Sequence, residues 1–374
     1  MILARKLKLK PTPDQAKILL ETIKQYEQAV NLPLKTGHKE HISNGVELHK
    51  LTYYKLRELT QLPSQLVCSA RCKATESLKS IRSRTKGKFN TKEPRSKKFP
   101  TIRYDRNSCG ITPSSVKLAT INGRIEIPML SHPLMKDEWD KAERTCELQY
   151  RKHKKDWYLI VFVNIEEPEA SGDRVLGIDR GCQHVAVTSA NEFYDSKHLR
   201  KVKGKYKYLR HRLQNKGTKS AKRLLKKISG KENRFVKDTN HCISKKIIAK
   251  PYDVFVLEKL EIKKAKKLGK KFNSILADWS YFQLEQFLTY KAKLAGKRIE
   301  HVDARYTSQK CSVCSHVERG NRQSQSHFCC RSCGFELNAD LNAARNIRQN
   351  FHASLATSLT GRAISTVHTT QPSG

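Results

Sequence analysis

Acidic residues are scarce in this chain. Its 374 residues hold 35 Asp and Glu against 74 Lys and Arg, a formal net charge of +39. Long apolar runs are missing as well. None approaches the roughly 18 residues that a membrane span needs, which excludes an integral membrane protein. The opening residues Met1–Lys10 alternate apolar and basic side chains. A secretory signal would need a continuous apolar block and a small-residue cleavage site, so an intracellular protein is expected. There is no internal repeat. Apolar residues are not lacking: at 37% hydrophobic the chain has enough to build cores, which excludes wholesale disorder. Nor do the eleven cysteines form a disulfide framework, which belongs to short secreted chains. Seven of them are isolated: Cys68, Cys72, Cys109, Cys146, Cys182, Cys242 and Cys329.

The charge is a statement about partners. A polycation attracts polyanions through screened water, and phosphate backbones are the commonest of these, bound with release of their counterions. The rival reading, a solvated basic surface or a membrane-surface protein, accounts poorly for an excess spread along the whole chain. The excess is densest at residues 197–232, with fifteen Lys and Arg and one acid, Glu232. Leu199, Val202, Tyr206, Leu209 and Leu213 recur there at helical spacing, predicting one or two long basic amphipathic helices. A merely solvated helical face would carry balancing acids, so these helices are expected to line a nucleic-acid channel. A second basic run, Lys263–Lys271, is less informative.

At ~100–200 residues per domain, the length allows two or three domains. Residues 2–9 alternate as a strand. Thr12 is a helix N-cap ahead of Pro13, with Ala16, Leu19, Leu20, Ile23, Tyr26 and Val30 on one helical face. Further helices are expected around 45–59 and from Ser64, followed by an exposed basic loop over Thr85–Pro100. Strand signals return between Thr101 and Ile165: Ser115–Leu118, Arg124–Ile127 after an Asn122-Gly123 turn, Glu147–Arg151 and Trp157–Asn164. Tyr53, Tyr54, Phe99 and Tyr104 suit core packing better than stacking on bases. Glu, Pro, Ser and Gly cluster over Glu166–Asp173 as a boundary. Beyond it come strands at Val175–Ile178 and Val185–Ser189, a helix over Arg234–Ala249 and a strand at Tyr252–Leu257. A helix at Asp278–Leu294, a strand at Arg298–Val302 and a last helix from about Asn338 to Arg348 follow.

Three acids stand where apolar runs end or a helix begins: Asp179, Glu258 and Asp340. Any one of them alone would be read as a surface carboxylate. Together they match what phosphodiester cleavage needs, which is hard oxygen ligands for two divalent cations ~3.5–4 Å apart. An RNase H-like sheet supplies one acid on its first strand, one at the end of a later strand and one on a closing helix. The order along this chain is the same. The second constellation is Cys311-Ser-Val-Cys314 and Cys330-Arg-Ser-Cys333, two Cys-x2-Cys knuckles 15 residues apart. They can wrap one tetrahedral thiolate zinc site, which has no open position and so is structural. Cys329 fits the spacing to Cys333 less well than Cys330 does. His316 and His327 are not needed once four cysteines close the shell.

These segments resemble a known family. Residues Ala277–Leu284, Ala304–Cys314, Cys330–Gly334 and Asn338–Ile347 are similar to the TnpB proteins of bacterial insertion sequences. So are Leu176-Gly-Ile-Asp179-Arg-Gly181 and Val256-Leu-Glu258-Lys-Leu. Compact type V CRISPR effectors share these features. The detailed likeness covers about residues 174–348, and the N-terminal half matches only in layout. The resemblance implies a multidomain α+β and α/β protein. A β-barrel wedge domain (1–10 and 101–168) would carry an inserted helical recognition domain (11–100). An RNase H-like, RuvC-type nuclease domain (173–307 and 336–350) would carry an inserted zinc ribbon that binds target nucleic acid (308–335). Residues 351–374 are expected to form a disordered tail. The implied activity is RNA-guided, magnesium-dependent DNA cleavage beside a short target-adjacent motif, in the cytoplasm and at the nucleoid when bound to DNA. Asp179, Glu258 and Asp340 would be catalytic and hold Mg2+ in a two-metal site. Cys311, Cys314, Cys330 and Cys333 would hold one Zn2+. The partners would be a guide RNA encoded near the element and double-stranded target DNA. The alternatives are an RNA-guided regulator of transposition that does not cut, and a transposase using the same fold for strand transfer.

One residue departs from the pattern. Members of that family usually have an apolar residue after the first acid, and this chain has Arg180. Alternation along a strand points Arg180 away from Asp179, into the sheet's other face. There it would either snorkel to the surface or weaken the fold locally.

Overall fold

The structure, a computed structural model, describes residues 1–87, 89, 92–130, 133–260 and 281–367. The basic run Lys263–Lys271 and residues 277–280 of the quoted motif lie outside these, as do residues 368–374. Among the described residues no helix is long and apolar enough to cross a membrane. The chain divides into two compact units, Met1–Glu166 and Glu167–Gly374.

The first unit opens on β1 (Ile2–Leu9), followed by α1 (Pro13–Lys39), α2 (Gly45–Leu59) and α3 (Ser64–Arg84). Six strands come next: β2 (Ile102–Tyr104), β3 (Cys109–Ile111), β4 (Ser115–Thr120), β5 (Gly123–Pro128), β6 (Ala142–Arg151) and β7 (Asp156–Asn164). A capping box starts α1: Thr12 Oγ1 accepts from Gln15 N, and Gln15 Oε1 accepts from Thr12 N. The β4–β5 turn needs Gly123, whose φ is +81°. The strands form two antiparallel sheets, β1-β7-β6-β2 and β3-β4-β5. Leu19, Ile23 and Leu78 of the helices share one core with Leu7, Leu148 and Leu159 of the strands. Tyr104 is fully buried in it, whereas Tyr54 is exposed. The short strands β2 and β3 carry too few alternating positions to stand out in the sequence.

The second unit is built on a five-stranded sheet. Its strands are β8 (Val175–Asp179), β9 (His184–Thr188), β10 (Glu192–Asp195), β11 (Val254–Lys259) and β12 (Arg298–Asp303), in the order β10-β9-β8-β11-β12. β8, β11 and β12 run parallel, and β9 and β10 run antiparallel to their neighbours. Between β10 and β11 lie α4 (Lys197–Lys216), α5 (Lys219–Ile228) and α6 (Lys231–Ile248). Leu199 is the one buried residue of α4 and Ala221 the one of α5; apart from the half-buried Lys203 and Arg210, their lysines and arginines are exposed to solvent. The helix α7 (Tyr281–Leu294) precedes β12. A ribbon with β13 (His327–Cys329) and β14 (Glu336–Asn338) then leads into α8 (Ala339–Val367).

Strand parity decides what each face of this sheet meets. Leu176, Ile178, Phe255 and Leu257 pack with Ile243 and Ile247 of α6 and Leu284 and Leu288 of α7. Val175, Val254 and Val256 turn to the opposite face and pack with Ile347 of α8. Both faces are covered, which is why β8 and β11 read as continuous apolar runs. Gly177 is required on the α8 face. A Cβ there would lie 2.2 Å from the Ala344 carbonyl oxygen and 2.8 Å from the Arg348 nitrogen, so the backbones of strand and helix approach directly.

The last helix corrects an expectation. Sequence periodicity ends it near Arg348 and leaves 351–374 as a disordered tail, whereas the helix continues to Val367. Residues 352–357 are exposed, so burial leaves no periodic signal there. The stretch His352–Thr360 contains neither Pro nor Gly, and local helix propensity carries it.

Candidate active site

Asp179 ends β8 and shares the parity of Val175 and Gly177. Glu258, in β11, shares that of Val254 and Val256. Both therefore emerge on the face covered by α8, at the same end of two adjacent parallel strands. Asp340 lies in the first turn of α8 and is 5% exposed. Asn338 starts that helix, its side-chain oxygen accepting from Asp340 N at 3.0 Å and Leu341 N at 3.2 Å. The helix is then fixed to the segment before the ribbon by two buried asparagines one turn apart. Asn342 donates to the Lys310 carbonyl at 2.8 Å and accepts from Ser312 N at 3.0 Å. Asn346 donates to the Thr307 carbonyl at 2.8 Å and to the Lys310 carbonyl at 2.6 Å. Asn338, Asn342 and Asn346 thus fix the start of the helix that carries the third acid.

Asp179 feels the other two acids. Asp179 is held well above the usual carboxylate range, first by burial, then by the charges of Glu258 and Asp340; Arg322 and Arg180 oppose the rise. Burial likewise raises Glu258, against a hydrogen bond from Thr307 and the charges of Arg180 and Arg322. Three further residues complete the site. Thr307 Oγ1 donates to Glu258 Oε1. Arg322 Nη2 donates to Asp340 Oδ1 at 3.1 Å, and His184 Nδ1 lies 3.0 Å from Asp340 Oδ2.

None of these three stands out in the sequence. Arg322 lies between the cysteine knuckles with no spacing that marks it. Thr307 lies in a motif read for its resemblance, and His184 lies one residue before the strand expected from Val185. Each is contributed by an element remote in sequence from the acid it touches, so no local spacing exposes it.

Arg180 corrects part of a second expectation. It does point to the face opposite Asp179, but it does not snorkel to the surface. Its side chain is 1% exposed, donating from Nη1 to Glu285 Oε2 at 2.5 Å and from Nη2 to the Glu258 carbonyl at 2.7 Å.

The cysteine ribbon forms the second centre. The Sγ atoms of Cys311, Cys314, Cys330 and Cys333 all lie within 4.8 Å of one another. Cys311–Cys333 and Cys314–Cys330 are 3.8 Å and 3.5 Å apart. A tetrahedral zinc with ~2.3 Å bonds needs sulfurs about 3.8 Å apart, so the four thiols fit it. Burial pushes the Cys330 thiol up, but the N–H groups of Cys333 and Ser332 and the neighbouring thiols outweigh it, bringing Cys330 to about 6. The Phe335 N–H pulls Cys333 down, yet the thiols of Cys314, Cys330 and Cys311, with burial, push it up to about 12. The cluster shares protons as crowded thiols do. His316 is engaged with Glu318 at 3.2 Å, outside the cysteine group. The three carboxylates form no comparably tight cluster among the described residues; Glu258 and Asp340 are turned to Thr307, Arg322 and His184.

The chain is similar to several known proteins. The family model "Probable transposase" (OrfB_IS605) matches residues 147–269, and "Cas12f1-like, TNB domain" matches residues 281–347. The CRISPR-associated endodeoxyribonuclease Cas12f1 of Sulfoacidibacillus thermotolerans is 40% identical over 111 residues, covering 29% of this chain and 26% of that protein. The putative RNA-guided DNA endonuclease InsQ of Escherichia coli K12 is 26% identical over 284 residues, covering 69% and 70%. The TnpB-like protein MJ0751 of Methanocaldococcus jannaschii is 28% identical over 211 residues, covering 52% and 74%. The matched regions span 26% and 53% of the length of two Cas12f1 relatives. In fold the chain is similar to Cas12f1 from a cryo-EM complex with sgRNA and target DNA. The TM-score is 0.62 at 18% identity, over 90% of this chain and 83% of that one.

Proposed function

From its kinship with the TnpB-like proteins and the compact Cas12f endonucleases, we propose that this chain is an RNA-guided, magnesium-dependent DNA endonuclease of a transposable element. The observation that carries the reading is that Asp179 and Glu258 emerge at the same end of two adjacent parallel strands, on the face covered by α8, whose first turn holds Asp340; there both neighbours raise Asp179. Crowded carboxylates repel, and a fold keeps them together at a cost in stability that a cation relieves.

The strand order β10-β9-β8-β11-β12, with its parallel centre, is that of an RNase H-like sheet, and supports assigning residues 173–307 and 336–350 to a RuvC-type domain. The helices and strands of residues 1–168 would be the recognition and wedge parts, and 308–335 the ribbon. The donor set fits magnesium, being hard carboxylate oxygens on three separate elements. Asp179, Glu258 and Asp340 would hold it. Bound there, the metal would supply an activated water and charge stabilisation for the leaving oxygen. The chain's own residues have distinct roles. Thr307 fixes the rotamer of Glu258. Arg322 and His184 hold the two oxygens of Asp340, and Arg322 adds positive charge beside a phosphodiester. Cys311, Cys314, Cys330 and Cys333 would hold zinc that shapes the ribbon carrying Arg322. The exposed basic faces of α4 and α5 suit a guide–target heteroduplex, which is read through its backbone.

The test is to express the chain with its flanking DNA, sequence the RNA that survives nuclease treatment on the purified protein, and offer a matching DNA target with magnesium. One discrete RNA ending in a variable stretch, and cutting of the matched target, are expected. A random RNA mixture, or no cutting with a defined RNA, would overturn the reading and move weight to the non-cutting regulator or the transposase.

A further inference from the structure

We infer that Arg180 is a positioning residue for Glu258, acting through the main chain from the face of the sheet opposite the acids. The inference rests on the nuclease reading above.

The β8–β11 pairing runs from Val175↔Val254 to Ile178↔Leu257 and stops there. The β11–β12 pairing continues two residues further, through Glu258↔Val302 and Lys259↔Asp303. Glu258 therefore lies past the last residue that β8 supports. At that point Arg180 Nη2 donates to the Glu258 carbonyl at 2.7 Å. The guanidinium thus supplies a main-chain hydrogen bond where the strand ladder has ended.

Arg180 is itself held. Its Nη1 donates to Glu285 Oε2 at 2.5 Å, and Glu285 Oε1 lies 2.9 Å from His301 Nε2. Glu285 belongs to α7. His301 belongs to β12, where it is in register with Leu257, the residue before Glu258. The chain of contacts runs from the end of β8, through α7, to β12, and so encloses the end of β11. Burial works against Glu285, but its bonds to Arg180 and then His301 outweigh it and keep the carboxyl below its usual range. Removing a buried cation from water is unfavourable unless it is paired and hydrogen-bonded. A planar fork that reaches a carboxylate and a carbonyl together meets that condition, and an ammonium would not reproduce its geometry. The consequence falls on Glu258, whose carboxylate must stand opposite Asp179 to share a cation.

The test uses full-length protein with its guide RNA. Arg180→Lys, Arg180→Leu and Glu285→Gln are compared with wild type for thermal midpoint, single-turnover cutting and Mn2+ affinity by electron paramagnetic resonance. Arg180→Lys keeps the charge and removes the fork, and Arg180→Leu keeps the volume. A displacement on the ångström scale costs up to about 100-fold in rate. The expected result is that Arg180→Lys, with guide and target binding intact, cuts about 10- to 100-fold more slowly and binds Mn2+ more weakly. Glu285→Gln should fall between it and wild type. An ordinary structural ion pair would lower the thermal midpoint and leave Mn2+ affinity of the folded protein unchanged; that outcome overturns the proposal. Should wild type fail to cut, the nuclease reading falls, and Mn2+ affinity still decides the role of Arg180. Should wild type neither cut nor bind Mn2+, both readings fall.

Discussion

Arg322 Nη2 stands 3.1 Å from Asp340 Oδ1, and the same nitrogen donates to the Gln325 carbonyl at 2.8 Å. One residue belongs to the cysteine ribbon and the other to the first turn of α8. The ribbon is thus an arm of the acidic site, and its metal should matter to cutting without touching the reacting atoms. Chelating zinc, or substituting Cys330→Ser, should slow single-turnover cutting about 100-fold, the scale of losing one preorganised donor. Arg322→Ala should slow it similarly, and chelation should add little to that variant, because the two changes remove one interaction. Elemental analysis should find about one zinc per chain. A chelated protein that cuts at the wild-type rate would separate ribbon from site.

Asp179→Ala and Glu258→Ala should each abolish cutting while guide RNA and target DNA stay bound. The basic helices that suit the phosphates lie apart in sequence from the acids, and the binding energy is largely theirs. Gel-shift and cleavage assays on the same preparations check this. Cutting that persists in both variants would show that the acids are misassigned.

How much of this was legible in the sequence depends on the range of the interactions. The three acids and four cysteines could be read because each sits in a local pattern: the end of an apolar run, a helix start, a two-residue spacer. The strand that begins at Ile2 and the Thr12 cap are also local, and both are found. What supports the acids is not local. Thr307, Arg322 and His184 meet their partners across 49, 18 and 156 residues. Arg180 shows the limit most clearly. Parity gives its direction correctly, but its partner Glu285 is 105 residues away on α7, so the sequence leaves only snorkelling or local strain.

Asp179 is raised by burial and by two neighbouring acids, so its ionisation opposes folding when no divalent cation is present. A group with a raised folded value contributes stability that is complete below the unfolded value and is lost as pH rises through the folded one. Asp179→Asn should therefore raise the thermal midpoint of metal-free protein at neutral pH by a few degrees, at ~2–4 °C per kcal/mol for a unit of this size. The gain should shrink as pH falls into the carboxylate range and should diminish when magnesium is added to wild type. Thermal melts at several pH values, with and without magnesium, provide the check. A variant no more stable than wild type at pH 7 in chelator would mean that the acids are not crowded.

Gly177 offers a test that touches no acid. It faces α8 between Val175 and Asp179, and a methyl group there would lie 2.2 Å from the Ala344 carbonyl oxygen and 2.8 Å from the Arg348 nitrogen. Both obstacles are helix backbone, which cannot rotate away as a side chain would. The helix must therefore lift from β8, and Asp340, one turn before Ala344, must move with it. Overpacking of this kind costs about 1–3 kcal/mol. Gly177→Ala should lower the thermal midpoint and slow cutting by more than an equally destabilising change in the first unit, for example Leu148→Ala, whose site is in the other core. Matching the two variants for midpoint and comparing single-turnover rates at saturating guide and target isolates the displacement of the third acid from simple loss of stability. Equal rates would mean that α8 is free to shift without consequence at the site.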